Sequence, residues 1–331
     1  MEVPDPMSTT TAAQRSTPRV TVVIPSYNTA ELIARCLDSV FAQTYKDFEA
    51  IVVNDGSPDT VELERVLQPY LSRIIYIKQP NKRAAGARNT AIQHARGEFL
   101  AFLDSDDTWY TEHLSQQMKL FDDDPALDLV YANSLIVTPN REWPFMDGCP
   151  SRGKADFSAL VVERCQIPVS TVVARKTAIV RAGLFDETLE RCDDYDMWLR
   201  TAFYGSKIAY SDRLQARLAG GRPGSLGQSN AKMLKAYWMI LEQTCRALPL
   251  THSETVMVRN RSAEIKALYL WEEGKLQLYK RQFDKAQEFL SEANHYLRST
   301  KVRLVLLGLK LAPRTTCGLA SYWAQRQSSS G

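Results

Sequence analysis

The stretch Gly97-Glu98-Phe99-Leu100-Ala101-Phe102-Leu103-Asp104-Ser105-Asp106-Asp107 decides the fold. Phe99 to Leu103 is a short, wholly apolar run bounded by polar residues, the pattern of a strand buried on both faces of a parallel sheet. It ends in three carboxylates within four residues. Open α/β sheets bind ligands at the carboxyl ends of their strands. In an extended segment Asp104 and Asp106 point the same way. Two carboxylates on one side repel unless a cation lies between them, and an all-oxygen set suits Mg²⁺ or Mn²⁺. The same residues also fit a polar turn capping the helix that follows.

Toward the N-terminus the pattern repeats. Val20 to Ile24 is a β-branched run, and Pro25-Ser26-Tyr27-Asn28 is expected to end it, because proline cannot continue a central ladder. Apolar residues from Leu32 to Phe41 recur at helical spacing. Phe48 to Val53 predicts a second buried strand, ending in Asn54-Asp55-Gly56-Ser57. A helix starts at Pro58-Asp59, a third strand covers Ile74 to Ile77, and the Ala-rich, basic stretch from Asn81 to Arg96 predicts a helix carrying Lys82, Arg83 and Arg88 close to the strand ends. Beyond the acidic stretch come a helix to Phe121 and a strand over Leu127 to Ala132. This alternation predicts an α/β fold with a largely parallel, doubly wound sheet.

Residues 138–167 lack a period and read as a loop-rich insertion able to shape an acceptor pocket. Val169 to Ala174 is predicted as a strand and Lys176 to Ala182 as a helix. Asp193-Asp194-Tyr195-Asp196 opens another helix, where acids suit the N-terminus. Gly220 to Ser225 is a loop. From Gln228 the signal is helical. Gly274, Ala286, Leu290 and Ala293 have the spacing of one tetratricopeptide repeat, without a second; a helical hairpin fits equally. Lys301 to Leu311 stands apart as an apolar helical stretch on whose wheel Arg303, Lys310 and Arg314 form one basic stripe, the make-up of an interfacial membrane helix or of a helix docked on its own core.

Net charge is +3, but the sign is split. Residues 213–331 hold 19 Lys/Arg against 8 Asp/Glu, and the first 212 residues hold 22 against 30. A basic rear suggests an anionic partner such as a membrane surface or a phosphorylated acceptor. Six scattered cysteines include no CxxC pair, and read as reduced thiols of a cytoplasmic protein. No apolar run reaches the ~18 residues of a membrane span, and no signal-peptide pattern opens the chain. Residues 1–18 are predicted to be disordered.

Five blocks in register resemble the family 2 glycosyltransferases of the GT-A fold, over about residues 19–226. They are Val22-Val23-Ile24-Pro25-Ser26-Tyr27-Asn28; Ile51-Val52-Val53-Asn54-Asp55-Gly56-Ser57; Ala87-Arg88-Asn89 with Ala95-Arg96-Gly97-Glu98; Phe102-Leu103-Asp104-Ser105-Asp106-Asp107; and Gly183-Leu184-Phe185-Asp186-Glu187 leading to Asp193-Asp194-Tyr195-Asp196-Met197-Trp198-Leu199-Arg200. The resemblance implies a GT-A domain over 19–226 and a helical region over 227–331. It implies an inverting, metal-dependent transfer from a nucleoside-diphosphate sugar, most often a UDP-sugar, to a saccharide or lipid-linked hydroxyl acceptor, without nucleic acid. Pro25, Tyr27 and Asn28 would line the nucleotide pocket, Asp55 would accept from the base edge, and Arg88 would help hold the nucleotide. Asp104 would lie on the ribose and metal side. Asp106 would bind the divalent ion, and Asp193-Asp194 replaces the family's Glu-Asp pair, with Asp194 as base.

Two departures stand out. Arg83 occupies the place of a usual glycine, and Arg222 lies where a histidine often sits near the metal; Arg222 would pair with the diphosphate instead. No GxGxxG follows the first strand and no P-loop occurs, which argues against a nucleotidyltransferase or dehydrogenase on a similar sheet. The competing reading is a non-catalytic scaffold whose helical region recruits partners. On either reading the protein is expected in the cytoplasm, with residues 299–331 as a candidate contact to the inner face of the cell membrane.

Overall fold

The computed structural model describes residues 17–148, 155–162, 165–220 and 230–311. Arg222, most of the predicted disordered segment and the end of the basic tail lie outside the described residues.

The first half follows the expected alternation: β1 (Val20–Ser26), α1 (Ile33–Phe41), β2 (Phe48–Asp55), α2 (Thr60–Leu67), β3 (Ile75–Gln79), α3 (Arg83–His94), β4 (Phe99–Phe102), β5 (Thr108–Trp109), α4 (His113–Asp123) and β6 (Leu129–Val137). Then come β7 (Glu142–Pro144), α5 (Phe157–Val161), β8 (Val173–Arg175), α6 (Lys176–Arg181), α7 (Asp193–Phe203), β9 (Ile208–Ala219) and four helices, α8 (Asn230–Ala247), α9 (His252–Tyr279), α10 (Phe283–Leu297) and α11 (Thr300–Leu311). One sheet runs β3-β2-β1-β4-β8-β6-β9-β5, with β7 paired to β6.

The block β3-β2-β1-β4 is parallel throughout. Alternate residues face opposite sides. Val23, Ile51, Val53, Leu100 and Phe102 join the layer under α3, α7, α8 and α9. Val22, Ile24, Val52, Phe99 and Ala101 pack against α1, α2 and α4. Both layers are dry, which is why these strands read as continuous apolar runs.

Three expectations are corrected. Pro25 does not end β1: the strand continues to Ser26, paired with β2. The β4 register stops at Val23↔Phe102, so Pro25 lies where β1 is paired on one side only, a place that tolerates proline. The strand predicted over Val169–Ala174 is a 3₁₀ turn at Val169–Thr171 followed by β8. There the hydroxyl of Thr171 donates to the Pro168 carbonyl at 2.8 Å, a local bond that competes with a ladder. β8 also runs antiparallel, between β4 and β6. The long strand β9, parallel to β6, was not predicted, because Ser211-Asp212-Arg213 interrupts its apolar pattern.

Helices α8 and α9 belong to the main core through Ile240, Leu241, Val258 and Ile265. Helices α9 and α10 form a hairpin in which Gly274 is required by contact: a Cβ there would lie 2.7 Å from Leu290 Cδ2. That packing accounts for the spacing of Gly274, Ala286, Leu290 and Ala293. Helix α11 buries Val302 and Leu309 against Leu278, Ala286 and Leu290. Its other side leaves Leu304, Leu307 and Leu311 at 64%, 54% and 76% exposure. Among the described residues no helix is long and apolar enough to cross a membrane.

Candidate active site

A cavity of about 870 Å³ opens at the carboxyl ends of β1, β2 and β4. Pro25, Tyr27, Asp55, Arg88, Asp104, Asp106, Asp193 and Asp194 all line it. Asn28 does not reach its wall: it turns the chain at φ +55°, and its amide donates to Ser57 Oγ at 2.7 Å.

The acidic stretch leaves β4 as a turn rather than the expected extended segment, with the Asp107 amide donating to the Asp104 carbonyl at 3.0 Å. The turn separates its carboxylates. Asp104 and Asp106 face the cavity half-buried. Asp107 folds inward, where it accepts from Ser170 Oγ at 2.5 Å and the Ala219 amide at 2.8 Å. Burial, then the charges of Asp106 and Asp104, push the Asp107 carboxyl well above the ordinary carboxylate range. It ties β4 to β9 and to the Val169–Thr171 turn.

At the base of β2, Asp55 is buried and its Oδ1 accepts from Gln79 Nε2 at 2.7 Å and from the Lys82 amide at 2.8 Å. Gly56, at φ +64°, lets the next loop close over it: a Cβ on Gly56 would lie 2.7 Å from the Asn81 nitrogen. Arg83 follows at φ +63°, so the glycine-like backbone is kept although the residue is arginine, at a cost on the order of 1 kcal/mol.

Helix α3 connects the two acidic stretches. Arg88 is 3% exposed; its Nη2 donates to Asp104 Oδ1 and its Nη1 to Asp193 Oδ2, each at 2.6 Å. Burial draws the guanidinium pKa down, and Asp104, Asp193 and Asp194 more than offset it, so it stays charged. The next residue, Asn89, grips the Phe185 backbone both ways, Nδ2 donating to its carbonyl at 2.8 Å and Oδ1 accepting from its amide at 2.9 Å. The Arg-Asn pair therefore fixes the turn before α7 and, through it, Asp193 and Asp194. Asp194 accepts the Tyr195 amide at 2.8 Å. Burial, with Asp193 beside it and against the pull of Arg88, raises its carboxyl to about 6.

An aromatic part of the wall adds residues that the sequence did not single out as site residues. Phe145, Tyr195 and Trp198 line it, together with Met233 and Tyr237 from α8. Tyr237 packs edge-on against Tyr195 with ring centroids 4.9 Å apart. In the sequence these two α8 residues are indistinguishable from ordinary helix positions.

Among the described residues no three His, Cys, Asp or Glu side chains converge as a metal cluster. Asp104 and Asp106 offer two carboxylates on the cavity wall. Mg²⁺ and Mn²⁺ are commonly bound by one or two carboxylates plus substrate phosphates and water, so the residues present fit an ion that the substrate completes.

The family model for glycosyl transferase family 2 matches residues 21–169. The chain is 33% identical over 223 residues to the UDP-Glc:alpha-D-GlcNAc-diphosphoundecaprenol beta-1,3-glucosyltransferase WfgD of Escherichia coli, covering 67% of this chain and 85% of that one. The chain belongs to glycosyltransferase family 2. The uncharacterized glycosyltransferase RP339 of Rickettsia prowazekii is 29% identical over 208 residues, 60% of this chain; the match spans just under two thirds, 65%, of that relative. Two solved structures share the fold. Staphylococcus aureus TarS 1-349 with UDP-GlcNAc gives a TM-score of 0.60 at 17% identity, covering 93% of this chain and 92% of TarS. The mannosyltransferase PcManGT of Pyrobaculum calidifontis, in complex with GDP-Man and Mn²⁺, gives 0.60 at 21% identity, covering 92% and 84%. The fold is thus GT-A, and each of the five sequence blocks contributes residues to the lining of this cavity.

Proposed function

We propose that the protein is an inverting glycosyltransferase that moves a sugar from a nucleoside diphosphate, UDP in the first instance, to a hydroxyl of a saccharide or lipid-linked acceptor. Residues 19–226 form the catalytic GT-A unit and 227–331 its helical extension. The observation that carries the reading is the Arg88 bridge, which sets Asp104 and the Asp193–Asp194 pair on one cavity wall.

The nucleoside lies over Pro25 and Tyr27 with its base edge toward Asp55. Asp104 and Asp106 would hold a divalent ion, which when bound would supply Lewis-acid stabilisation of the leaving group. The acceptor oxygen attacks the anomeric carbon from the face opposite the diphosphate. Its proton passes to the Asp194 carboxylate, and the bond from that carbon to the diphosphate oxygen breaks. A carboxyl raised to about 6 is a better general base at neutral pH than an ordinary aspartate, and is still largely ionised there. Asp193 holds Arg88 and, by its charge, helps raise its neighbour.

A lipid-linked acceptor is in keeping with the acceptor class in the name of WfgD. It also agrees with α11, whose Leu304, Leu307 and Leu311 are exposed beside Arg303 and Lys310. We assign that face to the anionic inner leaflet of the cell membrane, which puts the enzyme at the cytoplasmic side. Full-length protein is expected to cosediment with anionic vesicles, and protein lacking residues 299–331 is not; full-length protein that ignores such vesicles removes this part of the reading.

The first test of the activity is a thermal-shift screen of nucleoside diphosphates with and without Mn²⁺. A ligand that binds only the native state raises the melting temperature. A Mn²⁺-dependent rise with one nucleotide is expected; no rise with any of them overturns the reading.

A further inference from the structure

The second cationic side chain of α3 is placed very differently from Arg88. Arg83 lines the cavity from its rim, half-exposed, with Nη2 3.6 Å from Glu190 Oε1, a carboxylate that is itself 77% exposed. Ion pairs between solvated groups at this distance are weak, so little holds the guanidinium on Glu190. Its backbone, by contrast, is held in a conformation that side chains other than glycine seldom adopt, at φ +63°. The two residues before it are both fixed: the Lys82 amide is engaged by Asp55, and Asn81 is pressed against Gly56. Costly backbone geometry of this kind tends to persist at ligand sites, where the side chain repays it. Arg88 is committed to two carboxylates, whereas Arg83 is a planar, five-donor cation standing at the mouth with one loose partner.

We propose that Arg83 reads the donor diphosphate: on binding, its guanidinium leaves Glu190 and pairs with phosphate oxygens. The inference rests on the nucleotide-sugar reading of the cavity. It makes Glu190 a competitor for the same cation, so the two residues act with opposite sign.

The experiment is calorimetric titration of the full chain, in Mn²⁺, with whichever of UDP, GDP, CDP, ADP and dTDP binds the wild type, and then with the matching nucleoside. Arg83→Gly is expected to weaken the diphosphate about tenfold, the worth of one charge-assisted contact, and to leave the nucleoside unchanged. Glu190→Gln is expected to tighten the diphosphate about two- to threefold. Because glycine suits φ +63°, Arg83→Gly should melt no lower than the wild type, which separates lost recognition from lost folding. Equal diphosphate binding by Arg83→Gly and wild type overturns the inference. So does a parallel loss of nucleoside binding, or weaker binding by Glu190→Gln. A wild type that binds none of the five diphosphates overturns the nucleotide-sugar reading, and this inference with it.

Discussion

The turn at Asp104–Asp107 and the start of α7 at Asp193–Asp196 are both acidic clusters, and each holds a carboxyl whose pKa is raised, Asp107 in the first and the half-buried Asp194 in the second. They differ in what surrounds that carboxyl. Asp107 receives two donors, Ser170 Oγ and the Ala219 amide, and joins three chain segments. Asp194 receives the backbone amide of Tyr195 and faces the cavity. Burial and neighbouring carboxylates raise both groups. A raised pKa alone therefore does not mark a base; the direction of the remaining oxygen does. Within each cluster one aspartate is structural, Asp107 in the first and Asp196, paired with Arg200 at 2.5 Å, in the second.

The sharpest way to break this contrast is to neutralise each raised carboxyl in turn. Asp194→Asn should lower turnover about a thousandfold, within the range of general-base contributions, while calorimetry shows donor binding kept. Unchanged turnover would move the base elsewhere. Next in size, Arg88→Met leaves Asp104 and Asp193 facing each other without their cation. Because Asp104 is a third exposed, we expect about 3 kcal/mol, the low end for a broken buried pair, read by urea denaturation. Asp107→Asn should cost about 1–3 kcal/mol of stability through its disturbed acceptors, with turnover retained; a collapse of turnover at normal stability would make Asp107 part of the chemistry.

The smallest effect is in pH. Asp194 must be ionised to accept a proton, so kcat/KM should rise through about 6 and level off above it. The stability effect has the opposite sense. The native state favours the protonated form of a group raised from 3.8, so its contribution to stability is present below about 4 and is lost as pH rises through about 6. Asp194→Asn should flatten that stretch of the stability curve.

The parallel half of the sheet and most of the donor side were legible because their chemistry is local. An apolar run followed by carboxylates reports a buried strand and a functional edge within a few residues. The inward turn of Asp107 was not legible, since its donors come from Ser170 and Ala219, far along the chain. The role of Arg88 was legible only as a motif: that it bridges Asp104 and Asp193 depends on a contact across 105 positions. The reversal of β8 arises from its place between two distant strands, and the aromatic wall from helix packing, so neither leaves a pattern in its own segment.

Helix α8 has a consequence for protein engineering. Met233 and Tyr237 stand in the cavity wall, while Ile240 and Leu241 of the same helix are packed into the sheet-side core. The four positions are spaced i, i+4, i+7 and i+8, so cavity wall and core contact follow one another along a single face of one rod. A hybrid that borrows α8 from a relative imports a new wall and a new packing problem together. Productive grafts should carry over only the Met233 and Tyr237 positions, in the turns that line the cavity, and leave Ile240 and Leu241 further along the same face native.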